Sequence, residues 1–94
     1  MSVAFNKRIR PAAGVLVREL QGEAVLLNLD TESYYGLDEV GARMWSVVNA
    51  SDSVEAAFQI LLTEYDVDSA RLRDDLQALV EEWIEHDLAH VDEG

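Results

Sequence analysis

The chain has 94 residues, 49% apolar and 28% charged, which is the balance of one globular domain and leaves no length for a second core. It contains no cysteine, which excludes a disulfide framework, a thiolate metal site and a thiol nucleophile. A net charge of −12 argues against nucleic acid or an anionic membrane as partner, and no apolar run reaches the ~18 residues that span a bilayer.

The charge is uneven. Lys7, Arg8, Arg10 and Arg18 lie near the start, whereas Glu64 to Glu93 hold eleven acidic residues against Arg71 and Arg73. The C-terminal half therefore projects a negative field suited to a basic partner. Met1 to Arg10 lack the apolar stretch of a signal peptide, so a cytoplasmic location is expected.

One domain over 1–94 is expected. Residues 1–12, with weak periodicity and the single proline Pro11, are read as an N-terminal arm. Gly14 to Leu20 and Glu23 to Leu29 are rich in Val and Leu, and Gln21-Gly22 between them supplies the positive φ of a two-residue hairpin turn. Asp30 to Ser33 suits a second turn, and Ser33 to Leu37 a third strand carrying two tyrosines.

From Asp38 the period becomes helical. Asp38 is a good N-cap for a helix through Val40, Met44, Trp45 and Val48, and Gly41 inside it implies a close contact. Ser53 caps a second helix with Val54, Phe58, Leu61 and Leu62 on one stripe. Asp68 or Ser69 opens a third, where Leu72, Leu76, Leu79, Val80, Trp83 and Ile84 recur at intervals of three and four. Leu88 and Val91 suggest a tail that packs back before residues 92–94 fray. Three strands then three helices give an α+β fold, a three-stranded antiparallel meander with helices on one side, which resembles a winged helix-turn-helix.

Catalytic chemistry finds little support. No serine sits in a Gly-x-Ser-x-Gly elbow. Glu81, Glu82 and Glu85 lie opposite a leucine stripe, as a solvated face does, and no phosphate-binding glycine loop is present. His86 and His90 have the spacing of metal ligands on a helix, but a solvated C-terminal turn fits them better. No enzyme activity, metal or cofactor is expected. Tyr34 and Tyr35 point to opposite faces of their strand, so one can pack in the core while the other stays available. In a meander the third strand is an edge, ready to accept another strand beside the amphipathic last helix.

The run from Leu26 to Trp45, with Tyr34-Tyr35-Gly36-Leu37 before Val40-Gly41-Ala42-Arg43-Met44-Trp45, resembles the PqqD-like proteins, also called RiPP recognition elements. Within that family it is most similar to the stand-alone leader-binding proteins of lasso-peptide biosynthesis. Glu32-Ser33 departs from the Gly-Arg turn frequent there. The resemblance implies a non-catalytic adaptor that takes up the leader segment of a ribosomally made precursor peptide as an added strand. It implies as peptide-binding residues Ser33, Tyr34, Tyr35, Gly36 and Leu37 on the edge, with Leu72, Asp75, Leu76 and Leu79 on the helix. The implied partners are the precursor and a separate leader peptidase or other modifying enzyme. Two alternatives stay open: a PqqD-type chaperone serving a radical-SAM enzyme, and a winged-helix transcription regulator, for which Arg71 and Arg73 among Asp68, Asp74 and Asp75 are few cations.

Overall fold

The structure, a computed structural model, describes residues 3–92, so residues 93 and 94 of the expected frayed tail lie outside the described residues. Its elements in chain order are β1 (Arg8–Pro11), β2 (Val15–Leu20), β3 (Glu23–Asn28), β4 (Ser33–Leu37), α1 (Glu39–Ala50), α2 (Val54–Glu64), α3 (Ser69–Glu85) and β5 (Ala89–Asp92). Strands β2, β3 and β4 form an antiparallel meander in that order, and β1 pairs with β5 in a separate two-stranded ribbon.

Local chemistry accounts for the boundaries. Gln21 and Gly22 both adopt positive φ (54° and 88°), the geometry whose twist matches a hairpin with a two-residue turn. The N-caps of the three helices are Asp38, Ser53 and Asp68, each accepting from a backbone N–H of the first turn. At Gly41 an added Cβ would meet the Asp38 carboxylate and the Leu37 side chain at 3.3 Å, so glycine lets the first turn of α1 sit close against the end of β4 without displacing either side chain.

Alternation along the strands puts Ala24, Leu26, Tyr35 and Leu37 toward the helices. There they meet a core that includes Met44, Trp45, Val48, Leu72, Leu76, Val80 and Trp83. The two tryptophans pack edge to face, ring centroids 5.0 Å apart.

For residues 3–12 the structure corrects the reading of 1–12 as an arm, residues 1 and 2 lying outside the described residues. Ile9 is fully buried, Arg8 to Pro11 pair in register with Asp92 to Ala89, and Phe5 packs edge to face on Phe58. Val54 and Glu55 donate to the carbonyls of Lys7 and Phe5 (2.9 and 2.8 Å), so this segment also satisfies N–H groups that open α2. Asp92, expected to fray, is in β5 and bonded to Arg10 at 2.9 Å.

One buried polar side chain links sheet and helix. The Asn28 carbonyl oxygen accepts from the N–H groups of Asp30 and Thr31 (2.9 and 3.2 Å), closing the turn between β3 and β4. Its amide donates to the carbonyl of Asp87 just past α3 (3.0 Å).

Ile9→Ala is expected to lower unfolding free energy by about 3 kcal/mol in urea titrations, where a solvated arm would give almost none. Asn28→Ala removes three part-buried hydrogen bonds to the main chain of Asp30, Thr31 and Asp87 and is expected to cost about 2 kcal/mol by the same measurement.

Candidate functional site

The register of the meander determines which main-chain groups remain open. In a hairpin with a two-residue turn the flanking residues form a hydrogen-bonded pair, so on β2 and β3 the bonded pairs are Leu20 with Glu23, Arg18 with Val25 and Leu16 with Leu27. The bond from Leu29 N–H to the Gly14 carbonyl (3.0 Å) continues the series. Ala24, Leu26 and Asn28 therefore turn their groups toward β4, opposite Leu37, Tyr35 and Ser33. Tyr34 and Gly36 are left with N–H and C=O directed at the outer edge, where the sheet has no further strand among the described residues.

Beside this edge a cleft of about 360 Å³ runs between β4, the start of α1 and one side of α3. Its apolar surface comes from Leu37, Val40, Met44, Ala78 and Leu79, and its carboxylates from Asp38, Asp75 and Glu82. A narrower recess of about 140 Å³ adjoins it, sharing Val40, Met44 and Asp75 and adding Tyr65, Val67, Arg71 and Leu72. A peptide laid along β4 has an unpaired strand on one side, apolar pockets beneath and negative charge along the far wall.

Tyr35 ties the two walls together. Its ring lies 5.7 Å from that of His86 at the end of α3, and its hydroxyl faces the Glu82 carboxylate. Partial burial and this carboxylate push the phenol up to about 12, so it stays a neutral donor throughout the physiological range.

Of the residues expected from sequence, Tyr35, Gly36, Leu37, Asp75 and Leu79 line the cleft and Leu72 lines the recess. Ser33 begins β4 and shares a hydrogen bond of 2.6 Å with Thr31. Tyr34 offers its main chain to the edge, but its ring is on the far face of the sheet, 78% exposed. Leu76 needs correction: it is 0% exposed in the centre of the core and has no surface to offer a ligand. The sequence reading missed Asp38, Val40, Met44, Ala78 and Glu82. The positions Asp75, Ala78, Leu79 and Glu82 follow one stripe of α3 at intervals of three and four, a signal present in the sequence.

The helix arginines near the site have partners within the chain. Arg73 lies 4.5 Å above the rings of both Phe5 and Phe58 and bonds Glu55 at 2.9 Å, while Arg71 faces Asp75 at 3.6 Å. His86 caps α3 whereas His90 is in β5, so the two do not share a helix turn. Among the described residues no group of His, Asp and Glu is placed to hold a metal ion, and no helix is long and apolar enough to cross a membrane.

The family model described as coenzyme PQQ synthesis protein D (PqqD) matches residues 23–89, well over half of the chain. Two solved structures are similar. TbiB1 in complex with the TbiA(beta) leader peptide is 28% identical with a TM-score of 0.79, the likeness covering 90% of this chain and 96% of that one. Lasso peptide synthetase B1 complexed with the leader peptide is 24% identical with a TM-score of 0.80, over 88% of this chain and 98% of that one, and shows a shared fold. Comparison with curated proteins gives no match.

In a spectrophotometric titration, Tyr35→Phe is expected to abolish a tyrosinate step near pH 12, which identifies the phenol facing Glu82.

Proposed function

The chain belongs to the PqqD family, as a PqqD-like RiPP recognition element, and we propose that it is a non-catalytic adaptor that binds the leader segment of a precursor peptide by strand addition to β4. The observation that carries this reading is the coincidence of an open strand edge, at Tyr34 and Gly36, with an apolar cleft along α3. The complexes of TbiB1 and lasso peptide synthetase B1 with leader peptides support it. We read α2, α3 and the β2–β3 hairpin as a winged helix-turn-helix that serves as the scaffold of this site.

Magnitudes divide the work between edge and cleft. Two outward-facing residues exchange at most four main-chain bonds at about 1 kcal/mol net each, while micromolar affinity needs about 8 kcal/mol beyond the cost of association. Side chains of the leader seated against Leu37, Val40, Met44 and Leu79 must supply most of the remainder, and with it selectivity. Asp38, Asp75 and Glu82 along the cleft favour a leader with basic residues there and reject an acidic one.

On this reading the adaptor works in the cytoplasm with a separate enzyme, the leader peptidase of a lasso-type system. The Tyr34-Tyr35-Gly36-Leu37 run and the 28% identity to TbiB1 favour that type over service to a radical-SAM enzyme. A nucleic-acid role is disfavoured by the stacking of Arg73 within the fold and by carboxylates on the exposed side of α3.

The test is titration of a labelled leader peptide from the precursor encoded beside this chain. Saturable binding is expected, and none at about 100 µM would defeat the proposal. Leu79→Arg is expected to weaken binding at least about tenfold with native circular dichroism. Leu76→Arg is expected instead to unfold the protein, since it forces a charge into the core.

A further inference from the structure

The face of the meander turned away from the helices is apolar and uncovered. Alternation and register place Leu16, Leu20, Val25, Leu27, Tyr34 and Gly36 on it together. Leu20 is 71% exposed and Tyr34 78%, while Leu16 and Val25 are exposed as well. Around the position of Gly36, where an added Cβ would meet nothing within 4 Å, lies a recess of about 270 Å³. Leu20 and Val25 line it, with Arg18 and Glu23 alongside. Several large apolar side chains gathered on one exposed face mark an interaction surface on a soluble protein.

We propose that this outer face is the docking surface for the enzyme that processes the leader, and that the bound leader completes it. The inference rests on the adaptor reading above. Residues directly opposite each other on neighbouring strands share a face, so leader residues paired with Tyr34 and Gly36 bring their side chains onto the outer face. The residue paired with Tyr35 points instead into the cleft. Strand addition thus turns a three-stranded apolar face into a four-stranded one whose last strand is the leader. An enzyme seated there touches adaptor and substrate at once, and distinguishes the loaded adaptor from the empty one.

Charge selects this occupant over a second copy of the chain. Two copies would each bring a net charge of −12 to the contact, and that mutual repulsion opposes a homodimer through this face. A different protein is free of that repulsion. The matching surface on the enzyme is an apolar patch in a basic surround, with a carboxylate facing Arg18, the one basic residue of β2, β3 and β4.

The experiment uses the full chain, a synthetic leader of the precursor encoded beside it, and the leader peptidase encoded with them. Leu16→Ser/Leu20→Ser alters exposed positions on β2, away from the β4 edge, and Arg18→Glu is a second, independent probe of the same face. Both variants are expected to bind leader as the wild type does and to keep native circular dichroism. Affinity of the leader-loaded variants for the peptidase is expected to fall at least about tenfold. The wild type is expected to bind the peptidase about tenfold more tightly with leader than without.

Unchanged peptidase affinity in both variants overturns the docking face, as does a wild-type complex that does not bind the peptidase. So does a wild-type dimer in sedimentation that the Leu16/Leu20 variant dissociates, which would make the second copy the occupant. Equal affinity for loaded and empty adaptor overturns the leader's part in the surface. Failure of the wild type to bind leader overturns the adaptor reading and this inference with it, and the titration alone reveals that case.

Discussion

The cleft depends on β4 being held beside α3, and a single buried amide, Asn28, bridges the two. Hydrogen bonds to its carbonyl oxygen close the turn that launches β4, and its N–H group reaches the Asp87 carbonyl beyond the end of α3. An apolar residue of similar size would pack there yet satisfy none of these groups, and an unpaired buried polar group costs more than an average hydrogen bond yields. The directional bonds also specify where the strand lies, which apolar packing alone does less sharply. Tyr35 adds a second contact between strand and helix further along, its ring against that of His86.

Electrostatics divides the molecule into a negative side and an apolar one. The arginines of the helices are paired with carboxylates of the same chain: Arg43 bonds Glu64, Arg71 faces Asp75, and Arg73 bonds Glu55 while stacked on two phenyl rings. What remains on the exposed side of α3 is carboxylate, next to an open strand edge. An edge flanked by like charges resists pairing with another copy of itself while staying open to a strand of opposite charge. The same net charge that opposes self-association thus leaves the edge available.

Much of the architecture was legible because its signals are local. Gln21-Gly22 marks the hairpin, and Asp38, Ser53 and Asp68 mark the helix starts within a residue or so. The β1–β5 ribbon was not legible, since Arg8-Ile9-Arg10-Pro11 carries one apolar side chain and finds its partner at the other end of the chain. Nor does an amphipathic period tell the centre of a buried stripe from its margin. Leu76 and Leu79 both belong to the leucine repeat of α3, yet the first is sealed under the sheet and the second faces the cleft. Residues at the mouth such as Asp38 and Val40 owe their place to the packing of α1 against β4, which no window along the chain displays.

The ribbon also bears on when the protein becomes active. Ile9 is enclosed only when Ala89 to Asp92 pair with its strand, a contact that joins nearly opposite ends of the chain. During synthesis residues 3–11 wait for a partner strand far downstream, and contacts of such sequence separation form late because closing the loop carries an entropic cost. The core is therefore completed after translation of β5, not strand by strand. Partial chains that end before residue 89 would carry the β4 edge without the finished body behind it.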